Sequence, residues 1–75
     1  MKITVDLKAS LNDIVSVENY RSIHKPWELG RVERIDIHIR YTGDPYVIYN
    51  VRLHRRSRLD HPMFLYVGDD QIAPI

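Results

Sequence analysis

The chain has 75 residues, 44% of them hydrophobic and 28% charged, which is enough for one domain with a thin core and too little for two. It contains no cysteine, so neither a disulfide framework nor a thiolate metal site can staple it. No apolar run approaches the roughly 18 residues of a membrane span, and no charged-then-apolar leader opens the chain, so a soluble cytoplasmic protein without membrane contact is expected. The net charge of +1 conceals an uneven distribution. Residues 1–30 are balanced, residues 31–61 hold seven arginines and no lysine against four acids, and residues 62–75 carry only Asp69 and Asp70. An arginine-only segment matters because the planar guanidinium makes paired contacts with phosphate or carboxylate and stacks on rings.

In chain order, residues 2–7 alternate, with Ile3, Val5 and Leu7 on one side, and predict a short strand. Ser10-Leu11-Asn12-Asp13 has the form of a capping box and predicts one or two helical turns. The β-branched residues that follow, Ile14, Val15 and Val17, keep such a helix short and give way to irregular chain. Lys25-Pro26 halts any helix, and Gly30 supplies a turn before the main sheet.

From Arg31 the period becomes that of a strand. Ile35, Ile37, Ile39 and Tyr41 share one face, and Arg34, Asp36, His38 and Arg40 the other. Val32 has the wrong parity for the apolar face, so either the strand begins after it or a bulge near Glu33 turns it inward. Thr42-Gly43-Asp44-Pro45 predicts a hairpin turn. A second strand then presents Val47, Tyr49, Val51 and Leu53 to the core, with Ile48, Asn50, Arg52 and His54 opposite. Because a one-residue slip would turn a whole apolar set to water, odd positions must face odd positions. The expected inner pairs are Ile39 with Tyr49, Ile37 with Val51 and Ile35 with Leu53, and Asp36 then neutralises Arg52 in part.

Residues 54–61 form a polar loop ended by Pro62. Residues 63–67 are wholly apolar and predict a third main strand shielded on both sides. Gly68-Asp69-Asp70 turns the chain, and Ile72 and Ile75 add two late apolar anchors, through a helical turn or a very short strand.

The run Trp27-Glu28-Leu29-Gly30-Arg31-Val32, followed by Ile35, resembles the opening of KOW, Tudor and related SH3-like modules, in which a glycine leads into the first long strand. Residues 46–53 resemble their second strand, Leu65-Tyr66-Val67 their third, and Gly68-Asp69-Asp70-Gln71-Ile72 their closing turn and short fourth element. Small phage and prophage proteins share this layout. The resemblance covers residues 26–73 and implies an all-β, mainly antiparallel fold: a small SH3-like barrel of about five short strands with a short N-terminal helical turn. One domain, 1–75, is expected, with a barrel-like core over about 26–75 and the N-terminal strand and helical turn within 1–25. The aromatic cage of Tudor modules has no counterpart here, so function is read from the residues.

Arg55, Arg56 and Arg58 crowd the 54–61 loop, and Arg34, His38, Arg40 and Arg52 line the polar strand face beside it. Such guanidinium groups suit a phosphate backbone or a carboxylate-rich protein. Of the seven aromatic rings, Tyr41 and Tyr49 have core parity, whereas Tyr46 and Tyr66 have surface parity and Trp27 sits beside a proline, so these three are the candidates for stacking or for a protein hot spot. His24, His38, His54 and His61 have neither helical ligand spacing nor a cysteine partner, so no metal and no cofactor are expected. Ser57, Asp60 and His61 lie in a loop with no third group to orient a base, and so small a barrel lacks a deep pocket, so no enzymatic activity is expected. Two readings remain. The first is an interaction protein that binds a partner protein through its Arg/Tyr-rich strand face and the 54–61 loop, with self-association as a variant. The second is a module binding DNA or RNA through the same arginines. Parity also predicts that Ile37→Asp unfolds the domain while His38→Asp leaves it folded, a contrast that thermal melting measures.

Overall fold

The structure, a computed structural model, describes residues 4–75. Five strands form one antiparallel sheet: β1 (Ile14–Glu18), β2 (Trp27–Ile39), β3 (Pro45–Arg56), β4 (Pro62–Val67) and β5 (Ile72–Pro74). The order across the sheet is β4-β3-β2-β1-β5. A single 3-10 turn, Asp69–Gln71, brings the chain from β4 back to β1, beside which β5 lies. Among the described residues no helix is long and apolar enough to cross a membrane.

The N-terminal expectations do not hold. Residues 4–7 form no strand, and residues 2 and 3 of that segment lie outside the described residues. The capping box forms only half of its bonds: the Ser10 amide donates to the Asp13 carboxylate at 2.8 Å, but Asn12 takes φ of 69° and the chain leaves the turn as β1. The β-branched Ile14, Val15 and Val17 explain the outcome, because side chains stiff at χ1 favour a pleated strand over a helix. Val15 and Val17 are buried, and they make β1 a central strand where irregular chain was expected.

β2 does contain the bulge that brings Val32 inward. The register with β3 shifts between Val32 and Arg34, leaving Glu33 as the extra residue, and Val32 is fully buried. Before the bulge β2 lies between two strands, pairing with β1 through Arg31 and with β3. The Val32 amide and carbonyl are taken by Asp13 and Asn12 at 3.0 and 2.8 Å, which ends the β1 side of the ladder. At Gly30 the sheet has no room for a side chain. A Cβ there would stand 2.5 Å from Val51 Cγ1 and 2.8 Å from the Arg52 carbonyl oxygen.

The odd-with-odd rule holds for the hairpin after the bulge, but the partners differ from those expected. Ile39 faces Pro45, Ile37 faces Val47 and Ile35 faces Tyr49. The turn is centred earlier than Gly43-Asp44-Pro45. The Arg40 amide bonds to Asp44 at 2.9 Å and the Gly43 amide to Arg40 at 2.8 Å, with Gly43 at φ of 95°, and Pro45 already opens β3. The glycine supplies the positive φ the turn needs, and Pro45, having no amide hydrogen, sits at a strand's first residue.

This register carries the hairpin past the rest of the sheet. The last β3–β4 pair is Tyr49 with Val67, so residues 36–48 pair only with each other. They form a two-stranded arm, and the molecule measures 47 × 25 × 21 Å. On the arm, Ile37 and Ile39 are 52% and 50% exposed, and Tyr41 is fully exposed, so these three are not the core residues their parity suggested. The β3 side of the same face stays buried, with Val47, Tyr49, Val51 and Leu53 all in the core. They pack with Ala9, Val15, Val17, Val32, Leu65, Val67 and Ile72. Ile75, the other expected anchor, is exposed.

β4 is an edge strand covered on one face only. Leu65 and Val67 point into the core while Phe64 and Tyr66 are exposed, which corrects the expectation of shielding on both sides. The N-terminal segment is held over the core by the buried Tyr49, whose hydroxyl accepts the Lys8 amide hydrogen at 2.9 Å. Burial, with the Asp69 charge in addition, pushes the Tyr49 phenol above its ordinary value, against the smaller lowering by the Lys8 amide.

Three thermal-melting outcomes follow. Gly30→Ala destabilises the domain by about 1–3 kcal/mol, because Val51 and the Arg52 backbone must move to admit a methyl group. The Ile37→Asp expectation is reversed. That variant stays folded at a cost of about 1 kcal/mol, as a half-exposed arm position should. Val51→Asp unfolds the domain through a buried unpaired charge.

Candidate functional site

The outward face of the sheet collects most of the anticipated surface residues. At the arm, His38 lies opposite Tyr46 and their rings stack, with centroids 5.0 Å apart and planes inclined by 14°. The Arg40 guanidinium sits 4.5 Å from the centre of the same tyrosine ring, completing a three-layer cluster of histidine, tyrosine and arginine. Arg34 pairs with Asp36 at 3.1 Å along its own strand. The expected Asp36–Arg52 neutralisation is absent, because Asp36 faces Ile48.

Further along, Asn50 lies opposite both Arg34 and Tyr66, and the Asn50 Oδ1 atom is buried without a hydrogen-bond partner among the described residues. Arg52 faces Phe64 on one side and Arg31 on the other. Trp27 is half exposed at the start of β2, away from the arm. Tyr46, Tyr66 and Trp27 are thus all available at the surface, but they occupy three separate regions, and no single stacking platform unites them.

The arginine cluster of the 54–61 segment is divided. β3 runs on to Arg56, so only residues 57–61 form a loop, and the loop is closed by its own bonds. The Ser57 amide donates to the His61 carbonyl at 3.0 Å, the His61 amide donates to the Ser57 hydroxyl at 3.1 Å, and the Asp60 amide to the Ser57 carbonyl at 2.9 Å. Arg56 is held by Asp60 through its carboxylate at 2.7 Å and its carbonyl at 2.7 Å. Arg55 points to the opposite face and meets both carboxylate oxygens of Glu28, with the longer contact at 3.2 Å, and touches Met63 Sδ at 3.5 Å. Arg58 makes no ion pair among the described residues.

The Glu28 carboxylate joins Arg55 to the interior. The buried Asn19 donates its Nδ2 to Glu28 Oε2 at 2.6 Å, takes the Arg21 amide on its Oδ1 at 3.1 Å and sends its own amide to the Pro26 carbonyl at 2.8 Å. All this fixes the connection between β1 and β2, so Arg55 is structural. No sequence period marks the Asn19–Glu28–Arg55 set, because its members lie on three different segments.

Two depressions mark the surface. One, of about 370 Å³, lies along β4 between Met63, Phe64, Tyr66 and the Asn19–Arg21 segment. The other, of about 220 Å³, is lined by Arg31, Glu33, Arg52, Leu53, His54 and Arg56, next to the bulge. The sequence does not single out Arg31, since it leaves open whether the strand begins after Val32 or carries a bulge near Glu33. Among the described residues no three of His, Asp and Glu cluster closely enough to share a metal ion.

No protein-family model, no curated protein and no solved structure matches the chain.

The Glu28 pair has a defined pH signature. The Arg55 hydrogen bonds lead in holding the Glu28 carboxyl below its ordinary value of 4.5, with the Asn19 bond in support and burial opposing them. The folded state therefore releases this proton more readily than the unfolded chain. The resulting stability is present above the ordinary value and is lost as pH falls through the folded one. Glu28→Gln accordingly lowers the melting temperature at neutral pH, and the gap between the two proteins closes as the solution is acidified through and below pH 4.5.

Proposed function

We propose that this chain is a small, non-enzymatic interaction protein of SH3-like barrel form that docks a partner protein through the β2–β3 arm and the Arg/Tyr face continuous with it. The barrel form is supported by an energetic requirement. Among the described residues neither a helix nor a second sheet covers the core, yet Val17, Val32, Tyr49, Val51 and Val67 are completely buried. A single sheet buries such a face by coiling round it, and a bulge at Glu33 and the close approach at Gly30 are the devices that coil a sheet.

The observation that carries the docking reading is the uncovered apolar side of the arm. A two-stranded hairpin is marginal by itself in water, and this one, although Val47 opposite Ile37 is buried, leaves Ile37 and Ile39 half exposed and Tyr41 fully exposed. Its other face presents Arg40, Tyr46 and His38 as a stacked, ordered cluster, and arginine and tyrosine are the residue types that dominate binding energy at protein interfaces. The partner that fits is a protein with an apolar cleft rimmed by carboxylates, taking the isoleucines in the cleft and Arg40 at its rim. Arg55 and Arg56, already engaged by Glu28 and Asp60, contribute less than the arm.

The test is capture from the native cell extract, with and without nuclease, by the wild-type chain and by an Ile37→Ser/Ile39→Ser variant, followed by sedimentation of the isolated chain. The expected result is a nuclease-resistant partner held by the wild type and lost by the variant, while both proteins melt within a few degrees of each other. Capture that vanishes on nuclease treatment, or that ignores the arm substitutions, contradicts the proposal. A concentration-dependent dimer abolished by the same variant identifies the partner as a second copy.

A further inference from the structure

Directly opposed residues of an antiparallel pair have Cβ atoms about 5 Å apart, and like charges there are destabilising. Arg31 and Arg52 are directly opposed across β2 and β3, on the outward face, and neither has an acidic partner within ion-pair distance among the described residues. A domain with so small a core keeps two repelling guanidinium groups at the centre of its sheet. The bulge stands immediately beside them, and bulges redirect side chains next to sites of function. The pocket of about 220 Å³ formed here is lined by His54 and Arg56 in addition to the pair. Glu33 is the one acid on its wall, and Arg56 is shared with Asp60 outside it.

From this juxtaposition we infer that Arg31, Arg52 and His54 form a binding site for a phosphoryl group, independent of the docking arm. Two arginines that line one pocket can offer paired N–H donors to the oxygens of a single tetrahedral anion, whose charge offsets the like-charge opposition of the pair. His54 adds a ring nitrogen as a further donor. The nearby Phe64, opposite Arg52 on β4, provides a ring against which a nucleobase attached to that phosphate can rest. The shared chemistry is the phosphate itself, carried by a small molecule or by a polynucleotide backbone.

The site is tested by amide chemical-shift titration of the full chain at low ionic strength with inorganic phosphate, with a nucleoside 5′-monophosphate and with a short single-stranded oligonucleotide. Sodium chloride at matched ionic strength serves as the reference. Saturable shifts are expected at residues 30–34 and 51–56 with phosphate. Arg52→Gln weakens them by about tenfold or more, the loss expected of a charge-assisted contact, and Arg58→Gln leaves them unchanged. Arg52→Gln also melts at the same or a higher temperature, because it relieves the repulsion, so loss of binding cannot be ascribed to unfolding. Tighter binding of the monophosphate than of phosphate identifies a small-molecule source. Tighter binding of the oligonucleotide, falling steeply with salt, identifies a backbone. The inference is overturned if no anion gives saturable shifts, if chloride reproduces them, or if they persist in Arg52→Gln.

Discussion

The structure depends on what happens to β2 between Gly30 and Arg34. Up to Val32 this strand is flanked on both sides, and at Gly30 the β3 backbone approaches so closely that only glycine fits. One residue later the bulge at Glu33 ends the contact with β1 and reverses the parity of the strand. The same few residues thus set Val32 against Val51 in the core and launch the hairpin beyond the rest of the sheet. They also bring Arg31 opposite Arg52. Core, arm and arginine pair are three consequences of one local irregularity.

Energetically the two halves of the hairpin are unlike. The inner half is fixed by burial of Val32, Tyr49, Val51 and Leu53, and by the Tyr49 hydroxyl that ties down the N-terminal segment at Lys8. The outer half has cross-strand pairs and one stacked cluster, but among the described residues no third strand. Local stability follows the density of buried apolar contacts, so the arm belongs to the low-stability end of the molecule, where binding elements are commonly found. The polar contacts separate in the same way. Glu28, Arg55 and Asn19 hold the framework together, whereas Arg31, Arg52 and Arg58 make no ion pair among the described residues.

Much of this is legible in the amino-acid order, and the failures have physical causes. Eight alternating residues in β2 and the matching set in β3 declare a hairpin with odd positions facing odd, and Val32 betrays the bulge by its wrong parity. Periodicity is blind to length, however. It assigns Ile37, Ile39 and Tyr41 to the apolar face but cannot say that these positions are left exposed while Val47, opposite Ile37, is buried. Asp44-Pro45 has the chemistry of a turn and pulls the expected centre late, whereas the positive φ at Gly43 and the pairing of Ile39 with Pro45 set it earlier. β1 escaped notice because Ser10 and Asp13 form a real local bond that suits a helix start equally well. Which of the candidate arginines are engaged and which are free is not legible in the sequence, because it depends on tertiary partners: Arg55 meets Glu28 across 27 positions of sequence.

The central claim is that the core thins out at Val47 and that the hairpin continues past it with Ile37, Ile39 and Tyr41 exposed. Residue-level hydrogen exchange of the isolated chain tests this most directly. The account predicts that the amides of Val32, Val51 and Leu65 exchange only through global unfolding, while hydrogen-bonded amides of residues 36–48 exchange orders of magnitude faster through local opening. Equal protection along the whole hairpin, with residues 36–48 as slow as Val51, would contradict it.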